Sequence, residues 1–129
     1  MRDVLGLDRG GLPDLPPPVA AYIDAYNARD VPRLMATLSE DVEFQNISGG
    51  VLTAEATDKA GFEALAIQGA SMFASRRQTV LSAITVGRTT HLESGFEGVL
   101  AEGGETISLK GASAFDIIDG KITRVVDES

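Results

Sequence analysis

Residues Val19 to Asn46 read VAAYIDAYNARDVPRLMATLSEDVEFQN, and this stretch decides the fold because it encodes two helices and a strand. The spacing i, i+3, i+4, i+7 predicts a first helix with one apolar stripe, formed by Val19, Tyr22, Ile23 and Tyr26. Asp30 can cap a second helix, whose stripe consists of Val31, Leu34, Met35 and Leu38. After Asp41 the period becomes two, which predicts a strand with an inward row of Val42, Phe44 and Asn46.

The rest of the chain divides into an arm, one more helix and a set of strands. Residues 1–18 are rich in glycine and proline and are expected to form an N-terminal arm, which leaves residues 19–129 as one domain. The apolar spacing predicts a third helix from Lys59 to Ser75, closed by Arg76 and Arg77. Val51 to Ala56 can pair back on the first strand, and glycine-rich turns divide the remainder into four strands. Asp119-Gly120 is the strongest hairpin signal, so the layout is α+β.

Composition excludes several classes of function. The chain carries a net charge of −8, which repels nucleic acid and anionic membranes, so neither is an expected partner. It has no cysteine and one histidine, which leaves no thiolate ligand or nucleophile and favours a site without a metal. No apolar run is long enough to cross a bilayer and no secretory signal is present, so the expected location is the cytoplasm.

Two motifs carry a family resemblance. Tyr-x-x-x-Tyr-Asn-Ala-x-Asp begins at Tyr22, and Glu-Asp-Val-Glu-Phe begins at Glu40. Together with the order of predicted elements, they resemble the superfamily of nuclear transport factor two-like proteins, which includes ketosteroid isomerases and SnoaL-like polyketide cyclases. The resemblance covers residues 19 to 128 and implies a cone-shaped roll of three N-terminal helices on a curved, mostly antiparallel sheet. It also implies a pocket for a small molecule at the open end and a homodimer through the outer face of the sheet. In the later strands apolar residues occur at both odd and even positions, so both faces of the sheet are expected to be covered, which favours such a partner subunit.

The same resemblance bears on catalysis. Tyr22 falls where ketosteroid isomerases place the tyrosine that donates to the developing oxyanion, and it is the candidate catalytic residue. Asn46 falls where those enzymes have the base, and Ser113 where they have a hydrogen-bonding acid. An amide cannot accept a proton as a carboxylate does, so the isomerase carboxylates are missing from both positions. The other reading of Tyr22 is a core tyrosine whose hydroxyl is satisfied at the rim.

Inward stripes of the helices and strands predict an apolar pocket with a few polar points. Its expected ligand-binding residues are Tyr26, Phe44, Asn46, Met72, Phe73, Arg76, Ser113 and Phe115, with Leu38 and Phe62 completing the wall. Packed solid, the same side chains would form an ordinary core. Arg76 either complements the end of the third helix or binds a carboxylate of a ligand.

Two functions remain open at this point. One is an isomerase, cyclase or dehydratase that acts on a small apolar, oxygen-bearing ligand and needs no cofactor; the other is a non-catalytic binding or dimeric interaction module of the same fold. An inward carboxylate would decide between them, but Glu43 is predicted to face outward and Glu55 lies on an unplaced segment. Asp116, Asp119, Asp127 and Glu128 are interpreted as turn and terminal residues and not as a metal-binding cluster. His91 shares its parity with Glu93 and is predicted to lie on a surface and not in the site.

Overall fold

The protein is an α+β domain, as predicted, with helices on one face of a single sheet. A computed structural model describes residues 14–129, and within that range it contains three helices and six strands. They follow in the order α1 (Pro17–Asn27), α2 (Val31–Met35), β1 (Leu38–Ser48), β2 (Val51–Ala56), α3 (Lys59–Ser71), β3 (Phe73–Val86), β4 (Thr89–Leu100), β5 (Thr106–Ile118) and β6 (Lys121–Glu128).

The sheet has the strand order β2-β1-β6-β5-β4-β3. Neighbouring strands are antiparallel except β1 and β6, which run parallel, so the mostly antiparallel arrangement is confirmed. β5 and β6 form the predicted hairpin, in which Ile118 pairs with Lys121 across Asp119-Gly120. Both loop residues have positive φ, 52° and 77°, as a tight two-residue turn of this hand requires.

Local sequence explains where each helix begins. Pro17 and Pro18 occupy the first turn of α1, where the missing N–H groups would have had no partner. Asp30 caps α2 by accepting a hydrogen bond from the Arg33 amide at 3.2 Å, as predicted, and Asp58 caps α3 by accepting from the Gly61 amide at 2.8 Å. α1 thus begins inside the predicted arm. Residues 1–13 of that arm lie outside the described residues.

Two helix ends differ from the prediction. α3 stops at Ser71 and not at Ser75, so Arg76 belongs to β3, where it pairs with Gly98 of β4. α2 stops at Met35, and Leu38 already belongs to β1. In both cases pairing with a neighbouring strand overrides a helical spacing that continues further along the sequence. The charges of Arg76 and Arg77 therefore do not close a helix.

The core lies between the helices and the inner face of the sheet. Its most deeply buried side chains include Val19, Leu38, Val42, Ile122 and Val125, each at most 1% exposed. Alternation along β4 buries Thr90, Leu92 and Ser94 on this face and leaves His91 and Glu93 exposed on the other. The prediction that His91 lies on a surface is therefore confirmed.

A side-chain bridge ties the end of α1 to β3. The Asn27 amide donates to the Gln78 carbonyl oxygen at 3.1 Å, and its oxygen accepts from the Gln78 N–H at 2.7 Å. Next to it, Arg29 donates to the Phe73 carbonyl oxygen at 2.7 Å. These bonds fix α1 over the sheet and so hold the two tyrosines of α1 above its inner face. No helix within residues 14–129 is long and apolar enough to cross a membrane.

Candidate active site

Two adjoining cavities lie between the helices and the inner face of the sheet. We call the one of about 540 Å³ beside α3 the helical lobe, and the one of about 450 Å³ over β4 and β5 the sheet lobe. The same six residues line both lobes: Tyr22, Tyr26, Asn46, Gly69, Phe73 and Asp127. Since the lobes share these walls, they adjoin each other, and Asp127 is one of the residues that belong to both.

Asp127 sits at the centre of a polar row that crosses three strands. In the sheet it pairs with Asn46 of β1 on one side and with Ser113 of β5 on the other. The Ser113 hydroxyl donates a hydrogen bond to Oδ1 of Asp127 at 2.7 Å. Burial raises the pKa of this carboxyl from 3.8 to about 6, and the bond from Ser113 opposes the shift only in part. Near neutral pH the group can therefore accept a proton and release it again.

The two tyrosines of the chain line the same two cavities. Burial is the main cause that raises the pKa of Tyr22, and the negative charge of Asp127 raises it further, so the phenol stays protonated and can donate. Burial also raises the pKa of Tyr26, although the charge of Arg76 opposes this. Neither hydroxyl is hydrogen-bonded to another group of residues 14–129. Both donors are available to a ligand.

Arg76 brings a positive charge to the helical lobe. Its side chain is only 9% exposed, and its guanidinium carbon lies 3.7 Å from the centre of the Tyr26 ring. Nε donates to the Tyr26 carbonyl oxygen at 2.9 Å. Burial lowers the pKa of Arg76, but an arginine keeps its charge at any ordinary pH.

Asn46 contributes an acceptor. Its amide nitrogen donates to the Thr53 hydroxyl at 2.8 Å, which fixes the orientation of the side chain. Within the described part of the chain the amide oxygen of Asn46 accepts no hydrogen bond. Asn46 therefore offers a second oxygen next to the carboxyl group of Asp127.

The remaining wall is apolar. Phe44 of β1 stacks on Phe62 of α3 with ring centres 4.5 Å apart and lines the helical lobe. Phe73 packs edge-on against Phe96 at 5.4 Å. This position of the Phe73 ring requires Gly98, because a Cβ there would lie 2.7 Å from two ring carbons. Met72 is half-exposed at the edge of the helical lobe.

The structure places all but two of the residues predicted for the pocket, Phe115 and Leu38, in the cavity wall. Tyr22, Tyr26, Asn46 and Phe73 line both lobes; Phe44, Met72 and Arg76 line the helical lobe, and Ser113 the sheet lobe. Phe115 is the correction. It is 1% exposed and lines neither lobe, because its ring packs behind Tyr22 at 5.1 Å and belongs to the core. Leu38 is also buried in the core and lines neither lobe.

Asp127 was not among the site residues predicted from the sequence, yet it lines both lobes. Its parity with the buried Val125 was the available signal, but the run Val125-Val126 concealed which residue faces inward. His91 and Glu93 instead line a separate groove of about 300 Å³ on the outer face of the sheet. Within residues 14–129 no cluster of histidine and carboxylate side chains could hold a metal ion.

Comparisons with known proteins agree with this architecture. A candidate polyketide cyclase from Xanthomonas campestris pv. campestris is 26% identical over 87% of each chain, with a TM-score of 0.69. An LEH-like epoxide hydrolase from M. tuberculosis is 17% identical, with a TM-score of 0.73 over 86% of this chain and 78% of that one. A protein with a ketosteroid isomerase-like fold from Catenulispora acidiphila, in complex with trimethylamine, is 16% identical, with a TM-score of 0.76 over 88% and 85%. A search of curated proteins found no match. The model of the SnoaL-like domain matches residues 19–125, and the chain therefore belongs to the SnoaL-like family.

Proposed function

We propose that this protein is an enzyme that moves a proton on a small, apolar, oxygen-bearing molecule, using its own side chains as acid and base. The observation that carries the proposal is Asp127, a carboxyl group with a pKa of about 6 where the two lobes meet. A pKa near the working pH is what general acid–base catalysis needs. A carboxylate held at such a point without an ion-pair partner in the described chain has no evident structural purpose.

The chemistry follows from the donors and acceptors around Asp127. Its carboxylate takes a proton from a carbon next to a carbonyl group, and the C–H electron pair moves into a new carbon–carbon double bond as the carbonyl oxygen becomes negative. The Tyr22 hydroxyl donates a hydrogen bond to that oxygen. Asp127, now protonated, returns its proton to another carbon, which completes an isomerisation, or to a leaving oxygen, which completes a dehydration. Ser113 holds Oδ1 of Asp127 throughout.

The walls indicate the kind of substrate. Aromatic and aliphatic side chains surround most of the two lobes, so an apolar body is favoured over a sugar or a peptide. An apolar environment also strengthens the hydrogen bond from Tyr22 to a developing negative charge. The candidate cyclase and the LEH-like epoxide hydrolase named above have this fold, which supports the proposal of an enzyme.

The alternative is a binding module without catalysis. An inward carboxylate is the feature that separates the two hypotheses, and the position of Asp127 favours the enzyme. A module that only binds an apolar ligand would gain from a neutral side chain at this place, because a buried carboxylate lowers the stability of the folded state above its pKa.

Hydrogen exchange on a simple ketone tests the proposal without knowledge of the natural substrate. 2-Tetralone is incubated in D₂O with the protein, and loss of the signals of its α-protons is followed by proton NMR. The wild-type protein should accelerate exchange, and Asp127→Asn should slow the accelerated rate by about 10²- to 10⁴-fold. Asp41→Asn, which removes an exposed carboxylate of β1, is the matched control and should exchange at the wild-type rate. Equal rates in Asp127→Asn and wild type would refute the role of Asp127.

We also propose that two copies assemble through the outer face of the sheet. Ile84 and Val86 of β3 are 63% and 66% exposed there, which is unusual for large aliphatic side chains next to each other. Light scattering at micromolar concentration should give the mass of a dimer, and Ile84→Lys should give a monomer. A monomeric wild-type protein would exclude this assembly.

A further inference from the structure

Arg76 carries a charge that the described protein does not neutralise. The side chain is about nine-tenths buried, and no carboxylate of residues 14–129 forms an ion pair with it. A buried cation without a counter-ion is costly, and proteins usually provide a partner. The missing partner is therefore the first thing to explain about this side chain.

The contacts that Arg76 does make use only part of its guanidinium group. Nε bonds to the carbonyl oxygen of Tyr26 at the end of α1, and the flat face rests on the Tyr26 ring. These contacts explain why an arginine is anchored at this place, but they leave both terminal nitrogens without a hydrogen-bond acceptor among the described residues. The terminal nitrogens of an arginine are the pair of donors that bind a carboxylate side-on.

Gly69 keeps one of those nitrogens open. It lies on α3 and lines both lobes, and a Cβ at this position would sit 3.7 Å from Nη1 of Arg76. An alanine there would bring a methyl group into van der Waals contact with Nη1 and take up space beside the guanidinium group. Glycine leaves this space to a ligand.

The electrostatics of this wall also favour an anion. The exposed Arg29 lies close enough for its positive charge to help lower the pKa of Arg76, so two cations act on the same region of a chain whose net charge is −8. Asp127 forms no ion pair with either arginine. Its pKa is shifted by burial and by Ser113, not by Arg76, and the pKa of Arg76 is shifted by burial, both tyrosines and Arg29.

We infer that the ligand of this site carries a carboxylate group, which binds the terminal nitrogens of Arg76 in the helical lobe while the apolar body extends toward Asp127. The inference names the substrate class and rests on the proposed function for the statement that the reacting carbon lies beside Asp127. The substrate is then an apolar oxo acid, and one end is held by charge while the other is held in the cavity by apolar contact.

A matched pair of ligands tests the charge. The probes are 4-oxo-4-phenylbutanoate and its neutral amide, 4-oxo-4-phenylbutanamide, and binding is measured by isothermal titration calorimetry at pH 7.5. The wild-type protein should bind the acid at least about tenfold more tightly than the amide, because charge-assisted hydrogen bonds are about twice as strong as neutral ones. Arg76→Met should lose this preference and keep its affinity for the amide.

Three variants separate ligand binding from folding. Arg77→Met removes an exposed arginine from the next position of β3 and should keep the preference. Gly69→Ala retains Arg76 and is well tolerated in a helix, yet it takes up space beside Nη1, so it should reduce the preference for the acid with no loss of thermal stability. Asp127→Asn should keep or increase the preference, because it leaves Arg76 in place and removes a negative charge from the same cavity. A failure of the proposed catalysis would thus leave this result unchanged.

Equal binding of acid and amide by the wild-type protein, or no binding of either, would overturn the inference. So would a preference that persists in Arg76→Met, because the charge of another group would then be responsible. Loss of the preference in Arg77→Met to the same extent would assign the effect to net charge and reject a specific site.

Discussion

Replacing Asp127 by asparagine should make the protein more stable, and the gain should depend on pH. In the folded protein burial raises the pKa of this carboxyl from 3.8 to about 6, so the folded state binds the proton more tightly than the unfolded state. Ionisation of Asp127 therefore lowers the free energy of unfolding. Its cost is absent below pH 3.8, grows as the pH rises toward 6, and is complete above 6.

The magnitude follows from the two pKa values. Linkage gives a cost of about 1 kcal/mol at pH 4.5 and about 3 kcal/mol at pH 7.5, so the free energy of unfolding gained by Asp127→Asn should be about 2 kcal/mol larger at the higher pH. Asparagine keeps an oxygen that can accept the bond from Ser113. Any fixed cost of burying its amide is the same at both pH values and cancels in the difference.

Urea denaturation at pH 4.5 and pH 7.5, followed by circular dichroism, measures this difference directly. Asp41→Asn is again the control, since it removes one negative charge at an exposed position and should show no comparable pH dependence. A change in stability that is the same at both pH values would show that the carboxyl of Asp127 is not desolvated and would remove the main support for its role as a base.

Three further predictions concern the same site. Tyr22→Phe should slow ketone exchange by about 10²- to 10³-fold, and urea denaturation should find the free energy of unfolding within about 0.5 kcal/mol of wild type, because the lost hydroxyl has no partner in the described chain. The rate of exchange should rise with pH up to the pKa of Asp127, about 6, and level off above it; a flat profile between pH 4.5 and 7.5 would contradict a carboxylate base. Gly98→Ala should cost about 1 to 3 kcal/mol in a thermal melt, because the new methyl group meets the Phe73 ring. Gly95→Ala, on the same strand with open space around it, should cost much less, and equal losses would show that strand geometry and not Phe73 is responsible.

The sequence sufficed for the parts of the fold that depend on local chemistry. Asp30 and Asp58 cap helices because a short carboxylate side chain just before a helix can accept a hydrogen bond from a free backbone N–H of the first turn. Asp119-Gly120 forms a hairpin turn because few residue pairs adopt positive φ at both positions. The inward row of β1 followed from alternation alone and placed Asn46 in the cavity wall.

Asp127 was missed because of a single extra residue in β6. Counted from the hairpin loop, five positions back from Ile118 is Ser113 and five positions on from Lys121 is Val126, so an unbroken ladder would pair those two. The register shifts by one residue next to Asp116, and Ser113 pairs with Asp127 instead. A one-residue shift exchanges the faces of a strand. A count from the hairpin therefore places Val126, and not Asp127, opposite Ser113, and the alternation of Asp127 with Val125 is the remaining local signal.

The end of α3 could not be predicted for a similar reason. Met72 and Phe73 continue the apolar face of the helix, and Arg76 lies one further turn along, so the spacing alone extends the helix. In the fold this segment instead supplies the start of β3, paired with β4. The same change of element turns Arg76 from a residue near a helix end into part of the cavity wall.

The bridge between Asn27 and Gln78 also bears on how this protein avoids aggregation. β3 is the last strand of the sheet, so one side of its backbone has no neighbouring strand. Exposed edges of this kind can pair with strands of other molecules. Asn27 occupies the N–H and the carbonyl group of Gln78, and Arg29 occupies the carbonyl oxygen of Phe73, so three backbone groups in the first half of β3 already have partners. The side chains of Asn27 and Arg29 thus occupy backbone groups that a strand of another molecule would need for pairing. We expect that replacing these two residues would increase aggregation before it changed the fold.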